Sequence, residues 1–289
     1  MVGAAADTHV ATLDLDGLAY RYVDEGAGHP VVMVHGNPSW SYMYRRLIGA
    51  LRPHYRAIAP DHIGMGRSDI PPRSRYSYVL AQRLDDFTRF MAALDLDQPV
   101  TLVVHDWGGM IGLAWAVEHP DQVARLVLLN TAAFPLPAHK QLPITLRMAR
   151  APLVGEVFVR GANAFALGAT ILGVRRRMSR TVRRGYLEPY TSWSRRVGIN
   201  QFLRDIPVRS TDPSYPIVAA TGARLDRLAT VPTLICWGTE DPVFDLDYLA
   251  EWEHRLPAAD VHRIHAGHFV LEDAPDVVVP LIEAFLART

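Results

Sequence analysis

Seven short runs of β-branched and apolar residues, at 18–23, 31–35, 56–60, 100–105, 123–129, 233–238 and 261–264, alternate with longer segments of helical spacing. Those segments lie at 40–51, 78–94, 110–118, 246–256 and 277–286. This alternation constrains the fold more than any other feature. A strand that is apolar along its whole length needs cover on both faces, and a helix after each strand returns the chain so that the next strand lies parallel. The expected class is therefore α/β, a mostly parallel sheet between layers of helices. With 289 residues and no Pro-, Gly- or Ser-rich linker, the chain can build one large core rather than two independent domains.

One interval breaks the alternation. Residues 131–215 hold no convincing strand, only helix-compatible pieces punctuated by Pro135, Pro137, Pro143, Pro152, Pro189 and Pro207. This reads as a helical cap of residues 131–215 inserted into a core of residues 1–130 and 216–289. In an open α/β sheet the ligand crevice lies at the carboxyl ends of the strands, so such a cap would roof it. Charge sets the interval apart as well. The formal net charge of the chain is zero, yet residues 131–212 carry 14 Lys and Arg against 4 Asp and Glu. That is either a solvated basic face or a surface for an anionic partner. No nucleic-acid recognition motif accompanies it, so nucleic acid is not expected. The stretch Gly161 to Val174 is nearly devoid of polarity, bracketed by Arg160 and by Arg175, Arg176 and Arg177, and too short to span a bilayer. Three readings stand: a helix packed on the core, a surface for homo-oligomer or pathway-enzyme association, or adhesion to a membrane surface. The N-terminal residues lack a basic start and an apolar run, and no stretch reaches transmembrane length, so a cytoplasmic protein is expected. The single cysteine, Cys236, sits in an apolar run and reads as a buried thiol.

The chemistry concentrates in four places. Val103-Val104-His105-Asp106-Trp107-Gly108-Gly109-Met110 is an apolar strand turning sharply into a glycine-eased helix, the form of a nucleophile elbow. It departs from G-x-S-x-G twice: Asp106 replaces Ser, and Val104 replaces the first Gly. An Asp could also be a simple helix N-cap. After the last strand, His265-Ala266-Gly267-His268-Phe269 offers a general base, His268, with His265 an ordinary loop residue. Asp241, after the run at 233–238, is the acid expected to orient the imidazole; Glu240, Asp245 and Asp247 are nearby competitors. His35-Gly36-Asn37-Pro38 follows an early strand, so the backbone N–H groups of Asn37 and Trp107 fall at the two oxyanion-hole positions. Their side chains add an amide and an indole, two convergent donors expected to lack a protein partner and so suited to an anionic leaving group.

These motifs, with Asp-His-Ile-Gly-Met-Gly-Arg-Ser-Asp at 61–69, resemble the haloalkane dehalogenase family of α/β-hydrolases, along the length of the chain. The resemblance implies an α/β-hydrolase fold: a mostly parallel eight-stranded sheet flanked by helices, with an inserted helical cap. It implies that Asp106 attacks an alkyl carbon, that halide leaves against Asn37 and Trp107, and that water activated by His268 cleaves the alkyl-enzyme ester, converting haloalkane and water to alcohol and halide. Some members take the acid from a Glu after the sixth strand; here that region reads Leu128-Leu129-Asn130-Thr131, which resembles subfamily III with Asp241 as the acid. That group overlaps the β-lactone decarboxylases of bacterial long-chain olefin biosynthesis, which share these residues. Haloalkane hydrolysis is the first reading and lactone decarboxylation the alternative.

The chemistry of the nucleophile narrows the other options. Attack of a carboxylate at an acyl carbon gives an anhydride, whereas attack at an alkyl carbon gives an ester, so a carbon-bound leaving group is favoured. An epoxide hydrolase would need cap phenols such as Tyr186, Tyr190 or Tyr215 to protonate the alkoxide, while Asn37 and Trp107 suit a halide or carboxylate anion. A non-enzymatic ligand-binding homologue would predict a broken set of nucleophile, base and acid. The substrate is expected to be small and apolar, with no cofactor and no metal.

Overall fold

The computed structural model describes residues 9–137 and 140–289. Its eight strands are β1 (Val10–Leu15), β2 (Leu18–Glu25), β3 (Pro30–Val34), β4 (Arg56–Pro60), β5 (Val100–Asp106), β6 (Val123–Thr131), β7 (Thr233–Gly238) and β8 (Asp260–Ile264). They form one sheet in the order β1-β2-β4-β3-β5-β6-β7-β8, antiparallel in the β1–β2 and β2–β4 pairs and parallel elsewhere. The seven runs read from the sequence each correspond to a strand. The eighth, β1, has no apolar run because it is an edge strand with an exposed face. Its signal was the Asp16-Gly17 pair, where both residues take positive φ, 54° and 74°, as a two-residue hairpin turn requires.

The helices are α1 (Arg45–Leu51), α2 (Leu80–Ala93), α3 (Trp107–Ala116), α4 (Ile144–Arg150), α5 (Pro152–Gly155), α6 (Ala164–Leu172), α7 (Arg180–Leu187), α8 (Val197–Arg204), α9 (Tyr215–Ala223), α10 (Leu246–Arg255), α11 (Val270–Asp273) and α12 (Pro275–Arg288). Alternating residues of the central strands feed two separate cores. Val32, Val34, Leu102, Val104, Leu126 and Leu128 pack on one face; Val31, Met33, Val103, Val127 and Leu129 pack on the other. This double burial is why the parallel strands read as unbroken apolar runs.

Strand order fixes the position of the site. From β3 the chain goes to β4 on one side, then returns to β5 on the other, so the sequence order reverses between β3 and β5. At such a switch point the connections leave in opposite directions and open a crevice beyond the carboxyl ends of the strands. Those ends carry His35 to Asn37 and Asp106. The helices α4 to α9, with a π-helical turn at Glu156–Gly161 between α5 and α6, are inserted between β6 and β7. Within this insertion α4 packs on α8, while α9 packs on α3 of the layer against the sheet. α6 buries Ala166 and Thr170 but leaves Ile171 and Leu172 exposed at its end, so the apolar stretch is neither wholly core nor wholly surface. Cys236 is fully buried in β7, and burial pushes its thiol up to about 12, which keeps it unreactive.

Candidate active site

β5 ends on Asp106 and α3 starts at Trp107, so the chain reverses within one residue. Asp106 takes φ 52° and ψ −128°, a conformation costly for any residue with a side chain. Close packing holds it there. A Cβ on Gly108 would lie 1.9 Å from the Val34 carbonyl oxygen, and one on Gly36 would lie 2.0 Å from Asp106 Oδ1. Val104 occupies the place of the usual first glycine because the room is found on the opposite side: it faces Gly112 of α3, where a Cβ would lie 3.0 Å from Val104 Cγ1.

The two carboxylate oxygens of Asp106 have different surroundings. Oδ1 accepts the Asn37 backbone N–H at 2.6 Å, and the Trp107 backbone N–H also bonds the carboxylate. Oδ2 faces His268 Nε2 at 3.9 Å. Oδ1 is thus anchored by a backbone donor, while Oδ2 is the oxygen turned towards the imidazole. His268 Nδ1 bonds Asp241 Oδ2 at 2.7 Å, and Asp241 Oδ1 in turn accepts the Val243 N–H at 2.7 Å. Asp106, His268, Asn37 and Trp107 are all buried.

Burial pushes the Asp106 carboxyl up to about 6, against the pull of His268 and the two backbone N–H groups. Burial pulls His268 down, but the charge and hydrogen bond of Asp241, joined by Asp106, outweigh it and hold the imidazole above its ordinary value. The Asp106 carboxyl is thus mostly ionised at neutral pH, and the two carboxylates beside His268 favour the protonated form of its ring.

The competing residues are engaged elsewhere. His265 is exposed and pairs with Glu240 at 2.7 Å. Asp245 caps α10 by accepting the Asp247 N–H and contacts Lys140, which also reaches Asp247. Asp241→Asn is accordingly expected to lower turnover at least tenfold more than Asp245→Asn or Asp247→Asn. Steady-state rates of the three variants check this; equal losses would remove Asp241 from its place behind the imidazole.

The leaving-group donors need one correction. Trp107 packs on Phe202, ring centroids 5.1 Å apart, and its indole N–H makes no hydrogen bond to a described residue. Asn37 Nδ2, expected without a partner, donates to the Ile199 carbonyl of α8 at 3.3 Å. That long contact uses one of its two N–H groups and leaves the other available. Two of the three phenols weighed for epoxide chemistry are committed: Tyr186 donates to Glu272 at 2.8 Å and Tyr190 to the Ser39 carbonyl at 3.1 Å. Burial raises both phenols, making them poorer acids.

Several supporting residues carry weak sequence signals. His105 bonds the His268 carbonyl through Nε2 at 2.9 Å and packs on its ring with centroids 4.4 Å apart; burial holds it neutral. Phe244 also stacks on His268, ring centroids 5.9 Å apart. Asn130 ties β6 to β7 through both amide atoms, at 3.0 and 2.8 Å from Gly238. Asp273 accepts the N–H groups of Gly267, Arg175 and Arg176, fastening the loop of His268 to the insertion. Only His105, adjacent to Asp106, could have been singled out from sequence. Among the described residues no group of three His, Cys, Asp or Glu side chains is placed to hold a metal ion.

Comparison with known proteins agrees with this fold. The α/β hydrolase fold family matches residues 29–275. The chain is 47% identical over 279 residues to a cis-3-alkyl-4-alkyloxetan-2-one decarboxylase from Shewanella oneidensis, covering 96% of this chain and 88% of that one. A protein of the same name from Xanthomonas campestris pv. campestris is also 47% identical, covering 94% and 93%. A haloalkane dehalogenase from Mycobacterium marinum is 36% identical, covering 94% and 90%. Among solved structures, a haloalkane dehalogenase from Agrobacterium tumefaciens C58 superposes with a TM-score of 0.88 at 26% identity, covering 97% of each chain. With its elbow, its sheet order and these relatives, the chain is an enzyme of the α/β-hydrolase fold family, in the group that holds the haloalkane dehalogenases and the oxetanone decarboxylases.

Proposed function

We propose that this enzyme decarboxylates cis-3,4-dialkyl β-lactones to alkenes. The observation that carries the reading is the 47% identity to two oxetanone decarboxylases, against 36% to the dehalogenase, over the same length of chain. This reverses the order in which the sequence motifs alone rank the two reactions. Both reactions need the same first step, displacement at an alkyl carbon by a carboxylate, which is why the motifs do not separate them.

The chemistry follows from the site. Asp106 Oδ2 forms a bond to C4 of the lactone with inversion, while the C4–O ring bond breaks and its electron pair makes a carboxylate on C3. That carboxylate is the leaving group, held by the Asn37 amide and the Trp107 indole. The bond from C3 to the carboxylate then breaks, its pair forms the C3=C4 double bond, and the C4–O bond to Asp106 returns its electrons to the aspartate. Carbon dioxide and alkene leave. Inversion followed by anti elimination converts a cis lactone to a cis alkene. No water enters, so His268 acts here as an imidazolium beside the Asp106 carboxylate as it departs, with Asp241 fixing the ring. With a haloalkane the same Asp106 ester has no carboxylate to lose and must wait for water. Alkylation removes the Asp106 charge that helps keep His268 protonated, which frees the imidazole to act as base.

The helical insertion, taken as residues 131–215, roofs this site in the cytoplasmic enzyme, with Ile199 and Phe202 of α8 over Asn37 and Trp107. Asn37→Ala and Trp107→Phe are each expected to lower lactone turnover by about a hundredfold or more, as loss of one donor to a developing anion does. Kinetics on variants of unchanged melting temperature check this; wild-type rates would exclude both donors. The reading itself is tested by parallel incubations with a cis-dialkyl oxetan-2-one and a bromoalkane. Faster alkene release than bromide release is expected; the opposite preference would make it a dehalogenase.

A further inference from the structure

The surface of the insertion has a character that the reaction does not use. Among the described residues, nine of the eleven exposed large hydrophobic side chains lie between residues 144 and 193. Leu153 is 83% exposed, Leu172 is 72% exposed, and Val157, Phe158, Ile171 and Trp193 are more than 45% exposed. The elements that bear them are neighbours: α5 and α6 both pack on the π-helical turn Glu156–Gly161, and Trp193 lies under Arg160, whose guanidinium carbon is 4.5 Å from its ring centroid. A monomeric surface rarely exposes so many large apolar side chains together. Every helix here is far too short to cross a bilayer; α6, with nine residues, is about 14 Å long. No helix among the described residues is long and apolar enough to span one.

The charge of the same region decides between occupants. Residues 131–212 hold 14 basic and 4 acidic side chains. Arg147, Arg177, Arg180 and Arg184 are exposed and make no ion pair with a described residue. A second copy docking through this face would set one basic rim against an identical one, which is repulsive in a symmetric contact. An anionic bilayer reverses that sign: its surface potential attracts each nearby Lys or Arg, and exposed aliphatic side chains and a Trp enter the headgroup boundary.

The face is also coupled to the site. Ile171 and Leu172 immediately precede Gly173, whose carbonyl accepts the N–H of Phe269, next to His268, at 3.0 Å. We infer that the insertion docks the enzyme on an anionic lipid surface, through Leu153, Val157, Phe158, Ile171, Leu172 and Trp193 within a rim of arginines. This inference rests on the lactone reading for its purpose, because a dialkyl lactone and an alkene with no polar atom partition into lipid rather than water.

The test uses the full chain and sedimentation with vesicles of phosphatidylcholine alone or with about 30 mol% phosphatidylglycerol. Binding at least tenfold stronger to the anionic vesicles, weakened by salt, is expected. The triple variant Leu153→Ser, Phe158→Ser, Leu172→Ser and the triple variant Arg177→Glu, Arg180→Glu, Arg184→Glu should each lose it at least tenfold. Circular dichroism and turnover of a short-chain soluble lactone without vesicles show that these variants are folded. No vesicle binding, or equal binding by the variants, overturns the inference. So does a dimer that forms without lipid and is broken by the serine variant, which would assign the face to a second copy. Vesicle binding without lactone turnover would support the docking face and overturn only the proposed reaction.

Discussion

Asp106→Asn is expected to reduce lactone turnover by on the order of 10⁴-fold or more, since no other group near the substrate can form the covalent ester. The same variant should be more stable than the wild type. Burial raises the folded-state carboxyl from 3.8 to about 6, so the folded protein holds that proton more tightly than the unfolded chain. The resulting cost is absent below about pH 4, grows as pH rises, and is complete above about pH 6, where it amounts to about 3 kcal/mol at most. Asparagine keeps an acceptor for the Asn37 N–H and carries no charge. The gain in melting temperature should therefore be several degrees at pH 7.5 and vanish near pH 4. Activity of the wild type runs the other way: it should fall as pH drops through about 6, because a protonated Asp106 is no nucleophile. Thermal scans and rates across that range check both. A variant that retains turnover, or a stability gain independent of pH, would remove Asp106 from the chemistry.

His268→Phe should separate the two reactions that the site can perform. Hydrolysis of an alkyl ester needs an activated water, so a bromoalkane is expected to release one bromide per enzyme and then stop, leaving an adduct on Asp106 visible by intact mass. The loss of bromide turnover should be on the order of 10⁴-fold or more. Lactone decarboxylation needs no water and loses only the positive charge beside the departing aspartate, so its rate should fall by about 10²–10³-fold without an accumulating adduct. Equal arrest of both reactions, with a lactone-derived adduct on Asp106, would mean that water takes part in both.

The core of this molecule was legible because double burial leaves a plain record: the central parallel strands β3, β5 and β7 are buried throughout and mostly apolar, and each matched strand begins or ends within two residues of its sequence signal. The elbow, the histidine loop and the acid after β7 were legible as well, since each sits where a strand ends at the crevice. β1 was not, because an edge strand with one wet face lacks an apolar run and shows itself only through its Asp-Gly turn. The partner of the Asn37 amide was hidden for a different reason. It is a carbonyl of α8, 162 residues away, and contacts between an insertion and its core depend on packing that no local pattern encodes. The same holds for Asn130 and Asp273, polar residues whose value lies in which distant backbone groups they meet. The Gly161 to Val174 stretch was read as either core or surface, and it divides: α6 buries Ala166 and Thr170 while Ile171 and Leu172 face outward.

The most direct measurement follows the oxygens of Asp106. Wild-type enzyme is taken through many turnovers of a cis-dialkyl oxetan-2-one in ¹⁸O-water, and the peptide containing Asp106 is then weighed, with a bromoalkane run in parallel. Elimination returns to Asp106 the oxygen it used, so the lactone reaction should leave the peptide mass unchanged while cis alkene accumulates, and the bromoalkane reaction should place solvent oxygen in the carboxylate. An ¹⁸O-labelled Asp106 after lactone turnover, or a β-hydroxy acid in place of the alkene, would contradict decarboxylation through a covalent aspartyl ester.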